Sequence, residues 1–228
     1  MSTHDGRRRA ILAFDTATTQ VVVATGTPDG QVDGITTWPA GYRHGETLLA
    51  TIGRVLGEQN IRRSRLTGIV VGTGPGAFTG LRVGIATAKG LAHGLGVPIV
   101  GVSTAEALLA GVTGLDGPAV LLLPAGPSDR IAVRLAGRPE LLPGGTEPDL
   151  APGERLVAVD LEGRAPANAI ERGETARAGL GRALIELGAM RLRDGKPDHL
   201  AELVPDYVTL PRGVRAVSGE VAWSRDPH

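Results

Sequence analysis

Apolar residues occur in short blocks separated by polar or glycine-rich turns, and the spacing inside the blocks changes along the chain. Residues 10 to 14 (Ala-Ile-Leu-Ala-Phe) and 20 to 25 (Gln-Val-Val-Val-Ala-Thr) are short, continuous and aliphatic, which predicts buried strands on either side of the polar turn Asp15 to Thr19. A third strand is predicted over 31 to 38, after the Pro28-Asp29-Gly30 turn, completing an antiparallel meander. The period then changes. Leu48, Leu49, Ile52, Val55 and Leu56 share one stripe of a helix predicted over 46 to 58, and a strand is predicted over 67 to 71. The glycine-rich turn 72 to 79 opens a second helix over 80 to 94 and leads to a strand over 97 to 100. Ser103 and Glu106 form an S-x-x-E capping box at the head of a third helix. After Gly111 the pattern restarts more thinly, with strands at 119 to 123, 131 to 135 and 156 to 159 and a helix over 174 to 192.

Strand-turn-strand openings followed by alternating helix and strand predict an α/β protein with mixed sheets and antiparallel first strands. The expected division is a disordered tail over 1–9, a subdomain over 10–111, a smaller one over 112–204 and a C-terminal tail over 205–228. The stretch 137 to 153 carries four Pro and four Gly, and a mobile loop is expected there.

Composition narrows the chemistry. Lys+Arg and Asp+Glu are both 24 in 228 residues, so no net field draws the chain to bare nucleic acid or to an anionic membrane. Aromatics are 3%, too few for platforms that stack single-stranded bases, so any RNA connection needs a partner. The absence of cysteine excludes thiolate nucleophiles, Cys-containing zinc sites and disulfides. No run reaches ~18 apolar residues and no signal peptide is legible, so no membrane association and a cytoplasmic location are expected.

Several segments are candidates for function. Gly72-x-Gly74-x-x-Ala77 follows a strand and precedes a helix, formally a dinucleotide fingerprint, but the acidic residue expected ~20 positions further on is missing and no Gly-x4-Gly-Lys occurs. The segment is either an anion-binding turn or a turn that needs glycine dihedrals. The helix after it is apolar or small over most of its circumference, and each interior glycine costs ~1 kcal/mol relative to alanine. Gly84, Gly90 and Gly94 therefore call for a close neighbour, supplied by a second domain or by a partner protein. Ala50, Gly53 and Gly57 make a similar strip on the first helix. Asp15, followed by Thr16-Ala17-Thr18-Thr19, either holds Mg2+ and phosphate or shapes a turn. The histidines at 4, 44, 93, 199 and 228 include no i, i+4 metal pair, and His44 reads as a capping or surface residue. No G-x-S-x-G elbow occurs.

Together, Ile11-Leu-Ala-Phe-Asp-Thr-Ala-Thr18, the His44-Gly-Glu-Thr-Leu-Leu helix start, Gly72 to Gly84 with Ala88-Lys-Gly-Leu91, and Pro98 to Thr104 resemble the bacterial TsaB (YeaZ) family. The resemblance is strong over about residues 10 to 110 and weaker beyond, through Pro205-Asp-Tyr-Val-Thr-Leu-Pro211. It implies two ribonuclease-H-like subdomains of the actin, Hsp70 and sugar kinase (ASKHA) superfamily. It also implies a non-catalytic scaffold in tRNA threonylcarbamoyladenosine biosynthesis that binds and stabilises the catalytic paralogue TsaD, alongside the ATPase TsaE. A homodimer is a further implied association, and tRNA would be met only through the complex. The implied partner surface is Leu49, Ala50, Gly53, Gly57, Arg82, Ile85, Ala86 and Lys89, and the implied vestigial phosphate site is Asp15, Thr16, Gly74 and Gly76. No metal and weak or no ATP/Mg binding are expected.

Departures from the superfamily support an inactive paralogue. His44 is followed four residues later by Leu48 rather than a second histidine, and Pro124-Ala125-Gly126 stands where relatives carry Asp-Ala-Arg. The alternatives are a small-molecule kinase or ATPase using Asp15, or a metal-independent peptidase.

Overall fold

The structure is a computed structural model that describes residues 8–40, 44–112, 117–135 and 137–208, with the backbone alone for 44–46. β1 (Ala10–Asp15), β2 (Gln20–Gly26) and β3 (Val32–Pro39) form the meander. The chain continues through α1 (His44–Glu58), β4 (Leu66–Gly72), α2 (Phe78–Leu95), β5 (Ile99–Val102) and α3 (Thr104–Gly111). The first sheet has the order β3-β2-β1-β4-β5, with β1 antiparallel to β2 and parallel to β4. β6 (Ala119–Pro124), β7 (Arg130–Val133), β8 (Glu140–Leu142) and β9 (Arg155–Ala158) build a second sheet in the order β8-β7-β6-β9, followed by α4 (Ala167–Arg193). β6 repeats the role of β1, antiparallel to the next strand and parallel to a later one. The two mixed sheets are those expected of the two-subdomain α/β class.

The period of two along β1 sorts its side chains between two cores. Leu12 and Phe14 meet Leu48, Ile52 and Val55 of α1 and Ile85, Ala88 and Ala92 of α2. Ile11 and Ala13 face the opposite way, into a core shared by α3, α4 and the inner face of the second sheet through Leu121, Leu123, Ile131 and Val157. Burying each such Leu, Ile or Val side chain contributes roughly 1.5–3 kcal/mol relative to exposure. The capping serine behaves as expected in part: Ser103 accepts from the Glu106 amide, whereas the Glu106 carboxylate pairs with Arg191 at 2.9 Å.

α4 begins seven residues earlier than the pattern predicts. Its first turns are held on β9, where Gly173 lies against the Ala158 backbone and the Arg172 guanidinium donates to the Leu156 carbonyl at 2.9 Å. Its later turns lie on the first sheet, with Gly181 against Val22 and Gly188 against Val70. Where α4 passes α3 the two backbones touch, and a Cβ at Gly179 would land on the backbone of Gly111.

The segment 137–153, expected as a mobile loop, instead contributes β8 and is fastened by arginines. Arg130, 3% exposed, donates to the carbonyls of Arg164 and Thr146 and pairs with Glu147. Arg134 pairs with Glu154 at 2.8 Å and donates to the Asp149 carbonyl at 2.6 Å. These are long-range contacts that a Pro and Gly count does not register. The 1–9 tail is described only from Arg8, and the 205–228 tail only to Val208.

The glycines separate into two groups with opposite expected effects. Gly179→Ala drives a methyl into the α3 backbone and should destabilise by roughly 1–3 kcal/mol. Gly90→Ala on α2, where nothing lies within 4 Å of the added carbon, should stabilise the chain by about 0.5–1 kcal/mol through helix propensity. Urea unfolding of both variants measures the two signs.

Candidate functional site

Asp15 ends β1 with no exposed surface. Its Oδ1 accepts from the Ala17 amide at 2.7 Å, and its Oδ2 accepts from the Thr104 hydroxyl at 2.6 Å. Thr104 Oγ1 also accepts from the Gly74 amide at 3.0 Å, so one threonine ties the end of β1 to the β4–α2 turn and to α3. A Cβ at Gly72 would overlap the Asp15 carboxylate, which accounts for a glycine at the end of β4. Burial pushes the Asp15 carboxyl above its usual value, the Thr104 and Ala17 hydrogen bonds pull it part of the way back, and the charge of Asp160 adds to the rise.

The glycine segment folds down onto this turn. The Ala77 amide donates to the Ala17 carbonyl at 2.7 Å, and the Thr16 hydroxyl donates to the Gly80 carbonyl at 2.7 Å. A Cβ at Gly76 would strike Ala17, and Cβ atoms at Gly80 and Gly84 would strike Thr16. Asp15, Thr16, Gly74 and Gly76, the expected phosphate site, are thus brought together. They are closed on one another: Asp15 and Thr16 are buried, and the Ala77 amide is hydrogen-bonded to the Ala17 carbonyl beside them. Of the two readings of the fingerprint, the geometry accounts for every glycine from Gly72 to Gly84 by turn shape and close approach.

Across from this turn stands the β6–β7 turn of the second sheet. Pro75, Gly76, Ala77 and Phe78 face Pro124, Ala125, Gly126 and Asp129 over a cleft of about 410 Å³. Residues 206–208 form part of its wall. Asp160, which follows β9 in a left-handed conformation (φ 59°), ties the second sheet to the β1–β2 turn. It accepts from the Thr19 amide at 2.7 Å and from the Thr19 hydroxyl at 2.5 Å, and it pairs with Arg177 of α4 at 2.9 Å.

The expected partner residues lie on the outer side of α1 and α2. Leu49 (55% exposed), Ala50, Gly57, Arg82 and Ala86 are exposed, and Gly53 and Lys89 are half-buried. Ile85 is the exception and is corrected here: it is 4% exposed and packs in the core under α2, one residue of rotation away from Ala86. A groove of about 280 Å³ runs between the two helices, floored by Ile52 and Leu56 and edged by Leu49, Gly53, Gly90 and Gly94. A Cβ added at Gly53, Gly57, Gly90 or Gly94 would meet nothing within 4 Å. Thus, among the described residues, Gly80 and Gly84 are explained by contacts inside the chain, and Gly90 and Gly94 are not.

The side chains of two histidines, His93 and His199, are described. His93 is exposed in the last turn of α2, and His199 accepts from the Ala201 amide through Nδ1 at 3.3 Å. His4, His228 and the side chain of His44 lie outside the described residues. No group of three or more His, Asp or Glu able to hold a metal exists among the described residues. Sequence reasoning missed Thr104, Asp160 and Tyr207. The signal for Thr104 was present, since it follows the capping serine, but nothing in the spacing of 15 and 104 pairs them.

The raised Asp15 carboxyl has a testable sign. The unfolded chain releases this proton near 3.8, and the folded chain holds it to a higher pH, so between those values the native state binds more protons and loses stability as pH rises. Asp15→Asn removes that dependence. Unfolding free energies of the two proteins across pH should therefore shift in favour of the Asn variant as pH rises above 3.8.

Residues 17–186 match the family model described as TsaD: tRNA N6-adenosine threonylcarbamoyltransferase. The TsaB protein of Escherichia coli is 35% identical over 108 residues, 47% of this chain and 46% of its own length. A Mycobacterium leprae protein without an assigned function is 37% identical over 46% of this chain and 30% of its own length, so the chain spans half or less of these curated relatives. Among solved structures, YeaZ from Pseudomonas aeruginosa superposes with a TM-score of 0.69 at 22% identity, covering 88% of this chain and 100% of that one, which establishes the shared fold. The family model covers most of the chain, and TsaB proteins are among its relatives: the chain belongs to the family that the TsaD model describes and is TsaB-like within it.

Proposed function

We propose that this protein is a non-catalytic subunit of the machinery that carries out N6-threonylcarbamoylation of a tRNA adenosine, and that the α1–α2 face binds and stabilises a catalytic paralogue of the TsaD type. The observation that carries the reading is the groove between α1 and α2. Its glycines leave the helix backbones bare, each at a helix-propensity cost of ~1 kcal/mol, and none of the described residues uses the space. A neighbouring helix can approach there more closely than over larger side chains, and it would cover Leu49. The ATPase of the TsaE type and the tRNA meet this chain through that complex. The same surface also fits a second copy of this chain.

The non-catalytic part rests on Asp15. Both carboxylate oxygens are hydrogen-bonded inside the fold, and the facing turn offers Pro124, Ala125 and Gly126 in place of a phosphate-binding acid and base.

Ala50 and Ala86 are exposed on this face, so a glutamate at either leaves the free chain folded and places an unpaired charge in the docked surface. Ala50→Glu and Ala86→Glu should lower association with the catalytic paralogue by ~100-fold or more in co-purification, with unchanged circular dichroism. Gly90→Ala should weaken association while raising the stability of the free chain. If the folded glutamate variants bind and support modification as the parent does, the surface is misassigned. If they abolish only self-association, the face is a homodimer contact.

Calorimetry with ATP and Mg2+ tests the kinase or ATPase alternative. No binding tighter than about 10 μM is expected. Tighter binding with turnover that Asp15→Ala removes would establish an enzyme of the kinase or ATPase type.

A further inference from the structure

After α4 the chain returns to the first sheet. The Asp198 amide donates to the Ile99 carbonyl at 2.8 Å, the Gly101 amide donates to Asp198 Oδ2 at 2.6 Å, and Leu203 is buried beside Gly101 and Thr73. The following residues, 205–208, leave that edge and cross the β4–α2 turn. The Asp206 amide donates to the Thr73 carbonyl at 2.8 Å, and the Thr73 hydroxyl donates to Asp206 Oδ2 at 2.8 Å. The Tyr207 ring stands 5.0 Å from Phe78, and its hydroxyl accepts from Arg82 Nε at 2.8 Å. The Arg82 guanidinium in turn lies 3.8 Å over the Phe78 ring.

Two features distinguish this segment from the core. Its hydrogen bonds and ring contacts all go to elements of the first sheet, yet it separates space that belongs to both sheets. On one side is the 410 Å³ cleft between the facing turns, and on the other is a cleft of about 900 Å³ between α3, α4 and the β7–β8 connection. Pro75, Asp206, Tyr207 and Val208 line both. The fastening is also shallow. Tyr207 is 39% exposed, and although the Thr73–Asp206 hydrogen bond is part-buried and Val208 packs at the margin of the shared core, an aromatic pair, a cation–π contact and a few hydrogen bonds are each worth little beside a buried core. Such a segment opens locally without unfolding the sheets.

Arg82 gives the segment a connection to the rest of the molecule. It lies on the exposed side of α2, one helical turn before Ala86, and it holds Tyr207. We propose that residues 205–208 are a displaceable strap that partitions the cleft between the two sheets, and that Arg82 couples its release to occupation of the α2 face. A partner that draws the Arg82 guanidinium to itself removes the Tyr207 hydrogen bond and the cation over Phe78, and the two cavities become one. By linkage, loosening the strap must then favour the partner by the same factor. The coupling rests on the partner-surface reading; the strap itself does not.

Amide hydrogen exchange on the full chain separates the two. In the isolated protein, Arg82→Ala and Tyr207→Ala should each accelerate exchange of the Asp206 amide on the order of tenfold, while the β1 and β4 amides keep their protection. Unchanged Asp206 exchange, or equal acceleration throughout the sheet, overturns the strap. Addition of the catalytic paralogue at saturation should accelerate Asp206 exchange in the parent chain. A paralogue that binds by co-purification but leaves Asp206 equally or more protected overturns the coupling. If it does not bind at all, the coupling fails with the partner surface, and the isolated-chain result still decides the strap.

Discussion

The closed contact between the Asp15–Thr18 turn and the glycine segment above it organises the first sheet. Asp15 sits where the parallel strands β1 and β4 end side by side, and its carboxylate is satisfied by Thr104 and by its own turn rather than by solvent. For a buried carboxylate this pairing is obligatory, because an unsatisfied one costs several kcal/mol. Gly72 leaves room for it, and Thr104 passes the constraint to the start of α3 and to Gly74. Because Gly80 and Gly84 rest on Thr16, the direction in which α2 leaves the sheet is set by the same contact.

That direction also shapes the outer surface of the helix. The N-terminal half of α2 is held down on the turn, and its later glycines emerge beside α1 over a groove floored by Ile52 and Leu56. A helix whose bare backbone is exposed is poorly optimised for a solitary chain, and it is well suited to a close neighbour. The internal seal around Asp15 and the external groove are two ends of one helix.

α4 plays the complementary part between the sheets. Its first turns rest on β9 and its later turns on β1, β2 and β4, so the helix that follows the second sheet closes the core of the first. Gly111 and Gly179 allow α3 and α4 to touch backbone to backbone. Asp160, with Thr19 on one side and Arg177 on the other, adds a polar tie between the sheets. The cleft is therefore bounded by turns of both sheets, with Asp206, Tyr207 and Val208 in its wall.

The strands, the first three helices and the mixed α/β class were legible in the sequence because hydrophobic period is a local property: the runs at 10 to 14 and 20 to 25, the 48-to-56 stripe and the Ser103 cap each declare themselves within a few residues. Partly legible was the candidate surface, since a small-residue strip marks a close approach without saying to what. Only the tertiary structure divides the α2 glycines into those pressed on Thr16 and those left open, and only it turns Ile85 inward while Ala86 faces out. It alone converts the 137–153 stretch into a strand tethered by Arg130 and Arg134, starts α4 at Ala167 and brings Tyr207 onto Arg82. These outcomes depend on pairs such as 15 with 104, 111 with 179 and 82 with 207, and no period in a linear sequence records which distant residues will share a volume.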